Sequence, residues 1–150
     1  MPLGPQDHAR DGYLLLTTAA RLVQRRFDAA LAPLGLTRAA VIALKGMSNR
    51  PMNQEQLAAA IHVQSQTLGP VLARLAAEGL VTRKRDPHDR RQFQVAITDA
   101  GEAALRAARE AESVALPTDF DGWEILREQL SRLLNTFPSP GQARESTRNF

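Results

Sequence analysis

A chain of 150 residues, 43% hydrophobic and 23% charged, has the make-up of one globular domain with a modest core. It contains no cysteine, which excludes disulfides, thiolate metal sites and thiol-based redox sensing. The formal net charge is +3, no apolar run nears the roughly 20 residues needed to cross a bilayer, and no signal-peptide pattern opens the chain, so a cytoplasmic location is expected.

In chain order, residues 1–10 mix two prolines, a glycine and charges and predict a loose arm. From Asp11 to Ala32 a long helix is predicted: Tyr13, Leu16, Ala20, Val23, Phe27 and Leu31 recur at three- and four-residue steps. Leu14, Leu15, Leu22 and Ala30 form a second apolar line. A helix apolar over so much of its circumference needs more than one neighbour, and a second copy of the chain is a natural one. Pro33 and Gly35 stop it, and Thr37 caps a helix from Arg38 to about Met47 whose core face is Ala40, Val41 and Leu44. Asn49-Arg50-Pro51 predicts a turn.

Asn53 and Gln56 have the spacing of a capping box, and Leu57, Ala58 and Ile61 share one face of a short helix. After a turn at His62 and Val63, Gln64-Ser65-Gln66-Thr67 opens a second helix with Leu68, Val71, Leu72 and Leu75 on its buried side. Gly79 ends it as a left-handed cap. Pro70 is the awkward residue, because proline inside a helix costs about 3 kcal/mol. If Thr67 is the effective cap, Pro70 stands at the third helical position and its missing N–H matters little; otherwise the helix kinks. Two helices joined by a tight turn, with small polar side chains opening the second, suit insertion in a major groove.

Leu80-Val81-Thr82 begins one extended run, and Phe93, Val95 and Ile97 alternate with Gln92, Gln94 and Ala96 in another. Between them, Arg83 to Arg91 holds five cations and two carboxylates, a net +3 that equals the charge of the whole chain. Alone, such a run is most often a solvated hairpin tip; beside a polar helix tip it is a phosphate-binding footprint. Thr98 then caps an alanine-rich helix from Asp99 to about Leu116, with Gly101 where the helix passes close to the hairpin backbone. Pro117 breaks it, Asp121 with Glu124 has box spacing, and Trp123, Leu126, Leu130, Leu133, Leu134 and Phe137 form a final stripe. By itself that stripe suits an intramolecular core. Lying far from the hairpin and alongside an equally apolar first helix, it predicts a dimer interface. From Pro138 onward, prolines, glycine and polar residues predict a frayed tail.

The segment around the hairpin resembles the winged helix-turn-helix of the MarR family of bacterial transcription regulators. The resemblance is carried by Arg74-Leu75, Gly79-Leu80-Val81, Arg83, Asp86-Pro87, Asp89-Arg90-Arg91, and Ile97-Thr98 followed by Gly101. An Asp-x-Arg at the wing tip, followed after five residues by a hydrophobic-Thr pair, matches Asp89, Arg91, Ile97 and Thr98. It covers roughly residues 11–137. One departure is harmless to the fold: Ala40 stands where the family often has Gln. Pro70 resembles the organic-hydroperoxide-sensing branch, which senses through a cysteine that this chain lacks. The resemblance implies a homodimer on a pseudo-palindromic operator, usually a repressor released by a small ligand or oxidant. It places effector binding between the dimer helices and the DNA-binding lobe.

The expected fold is mostly α (α+β): a winged helix-turn-helix with six helices and a two-stranded wing. Residues 1–36 and 99–137 are the dimerisation helices, 37–98 the DNA-binding lobe and 138–150 the tail. Gln64, Ser65, Gln66 and Thr67 are expected at base edges, one or two of them serving as caps instead. Arg74 is expected at a phosphate or in an internal ion pair. Arg90 and Arg91 enter or flank the minor groove. Asp89, which phosphate would repel, holds the Arg91 fork. Arg83, Lys84 and Arg85 supply phosphate contacts, and Asn53 or Gln54 a neutral one.

Two rival functions stand beside this one. An enzyme needs an oriented nucleophile or a metal cluster. His8, His62 and His88 are far apart, and Asp119, Asp121 and Glu124 look like helix-start acids, so no catalytic residue, metal or cofactor is expected. The second rival is a helical dimeric ligand-binding or interaction module without DNA binding. The effector pocket is not legible; Tyr13, Arg21 or Arg25 suit an aromatic carboxylate but equally suit a surface or an interface.

Overall fold

Thr37, Asn53 and Thr98 each open a helix, and Gly35, Gly79 and Pro117 mark three of the breaks that set the order of elements. The computed structural model describes residues 1–2 and 4–138. Among these are α1 (Pro5–Leu31), a 3-10 turn (Ala32–Leu34), α2 (Arg38–Met47), β1 (Met52–Asn53), α3 (Gln54–Ala60) and α4 (Ser65–Ala77). Then come β2 (Val81–Arg85), β3 (Phe93–Ile97), α5 (Asp99–Ala115) and α6 (Trp123–Leu134). The six helices, the hairpin and their order are those of a winged helix-turn-helix.

The expected caps form. Thr37 Oγ1 accepts the Ala40 N–H at 3.2 Å, and Thr98 Oγ1 accepts the Gly101 N–H at 3.1 Å. Asn53 Oδ1 accepts the Gln56 N–H at 2.7 Å while Gln56 Oε1 accepts the Asn53 N–H at 3.0 Å, closing the capping box. Such caps contribute about 1 kcal/mol each. Gly79 sits at φ +74°, where the chain reverses from α4 into β2.

Leu31, Val41, Leu44, Leu57, Leu72 and Val95 are fully buried and join α2, α3, α4 and the sheet to the end of α1. Gly46 and Gly101 permit the closest approaches. A Cβ on Gly46 would lie 2.6 Å from Leu57 Cδ1, and one on Gly101 would lie 2.0 Å from the Leu80 carbonyl oxygen. Two polar ties bind this lobe to the helices outside it, and a third joins two of those helices to each other. Arg38 Nε meets Asp28 Oδ1 at 2.7 Å, Lys45 Nζ meets Glu112 Oε2 at 2.7 Å, and within the outer helices Arg26 Nη1 donates to the Ala115 carbonyl at 3.5 Å.

Four expectations change. The predicted loose arm is largely helix: α1 starts at Pro5, a residue whose fixed φ suits a first helical position, and Asp7 favours the helix N-terminus. The sheet has three strands in the order β1-β3-β2, since Met52 and Asn53 pair antiparallel with Val95 and Gln94. Two residues are too few to show an alternating pattern. The Asp121–Glu124 box does not form, because the N-cap of α6 is Gly122. There the Phe120 ring meets Trp123 edge-on at 5.2 Å, Trp123 Nε1 donates to the Pro117 carbonyl at 3.1 Å, and a Cβ on residue 122 would lie 2.5 Å from the Phe120 ring. Finally, the N-cap of α4 is Gln64 and not Thr67, so Pro70 is interior to the helix. Gln66 then lacks the usual N–H partner for its carbonyl; burial of Leu68, Leu72 and Leu75 on the same helix offsets the cost.

The outer helices are another matter. Leu31 is the one buried residue of α1, and α6 has none. Among the described residues no single helix is long and apolar enough to cross a membrane. Of the expected tail, only Pro138 falls within the described residues.

Candidate nucleic-acid interface

The interface is built from the start of α4 and the tip of the β2–β3 hairpin. Gln64, Gln66 and Thr67 are exposed at the first turn of α4, and among the described residues their side chains make no hydrogen bond. Ser65 is half-buried. Gln54 Nε2 donates to its carbonyl at 2.8 Å and to its hydroxyl at 3.3 Å. Thus Gln54 and Ser65, both expected at DNA, are joined to each other and brace the first helix of the pair against the second. Asn53 has a similar double use: beyond its cap, its Nδ2 donates to Gln92 Oε1 at 2.8 Å and ties α3 to the wing.

At the tip, Asp86 Oδ1 accepts the His88 N–H at 2.8 Å, and Asp89 Oδ1 accepts the Arg91 N–H at 3.0 Å. Both are local Asx turns, in which a short carboxylate reaches a backbone N–H two residues on. Asp89 therefore holds the Arg91 backbone; it does not grip the guanidinium as expected. The Asp86 N–H to the Gln92 carbonyl (2.9 Å) and the Gln92 N–H to the Asp89 carbonyl (3.0 Å) complete the turn. Arg90 and Arg91 are exposed, and among the described residues neither forms an ion pair.

The three basic residues of β2 part company, because successive strand residues face opposite sides. Lys84 is exposed on one side. Arg83 and Arg85 lie on the other, 4.7 and 5.2 Å from the centroid of the Phe93 ring. Arg85 Nη1 also donates to the Arg90 carbonyl at 2.7 Å, and Arg83 Nε is buried without a hydrogen-bond partner. Sequence reasoning passed over Phe93 as one more apolar residue of a strand. Its position opposite Arg85 was the available signal.

Arg74, one of the candidate DNA contacts, pairs with Glu78 at 3.1 Å one turn along α4. It lines a cleft of about 240 Å³ between α2 and α4, with Gly35, Thr37, Ala40, Pro70 and Val71. Among the described residues no cluster of histidines and carboxylates could hold a metal ion. What remains is an exposed pair of arginines on a stiff loop, beside a helix tip of uncommitted amide and hydroxyl groups. That combination offers charge for a phosphate backbone and hydrogen bonds for base edges.

Comparison with known proteins gives the family and the fold. The MarR family model matches residues 34–92. An HTH-type transcriptional repressor of Mycobacterium tuberculosis is 32% identical over 118 residues, 78% of this chain and 82% of that protein. Among solved structures, the transcriptional regulator BldR from Sulfolobus solfataricus superposes with a TM-score of 0.83 at 27% identity, covering 90% of this chain and 100% of that one. The transcriptional repressor CouR bound to a 23-mer DNA duplex gives 0.72 at 27% identity, covering 91% and 99%. CouR from Rhodococcus jostii RHA1 bound to p-coumaroyl-CoA also gives 0.72, at 26% identity, covering 85% and 92%.

Proposed function

The chain belongs to the MarR family of transcriptional regulators, and from that membership we propose that it works as a homodimeric repressor on a pseudo-palindromic operator, released by a small ligand. Its relatives are regulators, not enzymes. The observation that carries the reading is the exposed Arg90–Arg91 pair, set on a braced tip beside the open polar turn of α4. Gln64, Gln66 and Thr67 read bases in the major groove, Arg91 reaches the minor groove, and Lys84 and Arg83 lie at phosphates.

Duplication of the head comes from the outer helices. Leu15 is 71% exposed and Ile125 67% exposed, and a second copy covers both. Two recognition helices then meet successive major grooves about 34 Å apart. The effector is expected between the lobe and the outer helices; the nearest cavity on the lobe is the 240 Å³ cleft between α2 and α4, which begins at Gly35 and has the Arg74–Glu78 pair at its rim. An aromatic or anionic ligand suits that chemistry. It acts by binding one spacing of the two heads better than the other.

The test is selection of duplexes from a randomised pool, followed by salt titration with the selected duplex. Arg91→Ala should weaken binding roughly 10- to 100-fold and lower the slope of log K against log salt by about one per lost contact. Equal binding by parent and variant would remove the wing from the interface.

A further inference from the structure

We propose that Phe93 is a positioning residue for DNA binding: its ring fixes the Arg83 and Arg85 guanidinium groups and, through Arg85, sets the wing tip that presents Arg90 and Arg91. This rests on the DNA-binding reading above and adds to it a residue with no charge of its own.

The argument starts from strand register. Arg85 pairs with Phe93, Arg83 with Val95 and Val81 with Ile97, so all six side chains share one face of the hairpin. Towards the lobe that face is core, with Val95 at 0% exposure. Towards the tip the core runs out, and Phe93 is the last apolar side chain before the turn, half-buried between two cations. Arg83 Cζ lies 4.7 Å and Arg85 Cζ 5.2 Å from its centroid, both within cation–π range. Two guanidinium groups two residues apart on one strand repel each other. The negative ring face lowers that cost, and it stands in for the water that the buried, unpartnered Arg83 Nε has lost.

Arg85 transmits the effect. Resting on the ring, it donates from Nη1 to the Arg90 carbonyl at 2.7 Å. Among the described residues it is the one side chain of β2 bonded to the tip; Asn53 reaches Gln92 from α3, and the remaining tip bonds run within residues 86–92. A leucine at 93 would fill much of the same space and offer no negative face. Arg85 would then leave the Arg90 carbonyl, and the Arg90–Arg91 backbone would lose its side-chain tie to β2. The consequence is weaker DNA binding with the fold intact.

The experiment uses the full chain as Phe93→Leu, Phe93→Tyr, Arg85→Gln and the Phe93→Leu/Arg85→Gln double variant. In the DNA-free parent, NMR should show the side-chain protons of Arg83 and Arg85 shifted upfield by the ring, and Phe93→Leu should abolish that shift. With the selected duplex, Phe93→Leu should bind roughly 5- to 30-fold more weakly, and Phe93→Tyr should stay within about 2-fold of the parent. The double variant should fall short of the product of the two single losses, because part of the Phe93 effect passes through Arg85. Melting temperatures serve as the control for folding. Unshifted arginine protons in the parent overturn the proposal, as does Phe93→Tyr falling as far as Phe93→Leu, or losses that simply multiply. If the parent binds duplex and Phe93→Leu binds equally well, this role alone fails; if the parent binds none, the DNA-binding reading fails and takes this role with it.

Discussion

The lobe and the outer helices are made from similar residues and treat them in opposite ways. In the lobe, Leu44, Leu57 and Leu72 are fully buried within one chain. In α1 and α6, Tyr13, Leu15, Leu22, Ile125 and Leu134 stand exposed, on helices that bury almost nothing. The difference is one of partners. A helix seven residues long such as α3 survives because it lies against α2 and α4, whereas α1 runs for 27 residues and is covered by its own chain, α5 foremost, mainly from Val23 onward. One region is finished by intramolecular packing; the other has the composition of a core without the burial.

The contrast can be broken at its strongest point first. Leu44→Ala should lower unfolding free energy by about 3 kcal/mol, whereas Leu15→Ala at concentrations that keep chains apart should change it by less than about 0.5 kcal/mol. Urea denaturation of the two variants decides this, and similar losses would erase the distinction. Next, Ile125→Glu with Leu133→Glu should raise the dimer dissociation constant at least about 100-fold, roughly 2.7 kcal/mol, while leaving far-UV circular dichroism unchanged. Sedimentation equilibrium showing the same dimer for parent and variant would mean another face joins the copies.

Lys45→Ala comes third. It strands a Glu112 side chain that is only 12% exposed, and about 1–3 kcal/mol of stability should go with it. Much of that should return on pairing it with Glu112→Leu, and thermal melting of the double variant checks whether it does. The smallest effect concerns the turn between α3 and α4, where His62 holds φ +56° without being glycine. His62→Gly removes that strain and should stabilise the lobe by about 0.5 kcal/mol once the extra flexibility of the unfolded glycine is counted. A loss at His62→Gly would show that the imidazole has a contact of its own to defend.

Legibility in the sequence followed the range of the interaction. The caps at Thr37, Asn53 and Thr98 span three residues and were readable as spacing. The wing was readable because its charge run and its alternating strand lie next to each other. Gln54 bonding Ser65 across 11 residues, and Lys45 meeting Glu112 across 67, were not, since nothing local marks either pair. The start of α1 is illegible for a different reason: two prolines, a glycine and mixed charge over residues 1–10 predict a loose arm, although Pro5 at a first helical position favours initiation. Within the interface, the residue types expected at the tip were found there, but their division of labour was not. Asp89 holding a backbone N–H, and Arg85 turned back to a carbonyl, depend on how the turn closes in three dimensions.

The contact at Gly101 has a mechanical consequence. Thr98 donates its N–H to the Leu80 carbonyl at 3.1 Å and its hydroxyl to the Gly79 carbonyl at 2.7 Å, and the bare Cα of Gly101 sits against the same Leu80 oxygen. With no side chain interposed, there is no slack at this joint to absorb a tilt. The first turn of α5 and the root of the wing therefore swing as one lever, and bending has to be taken up further along the rod, towards Ala115.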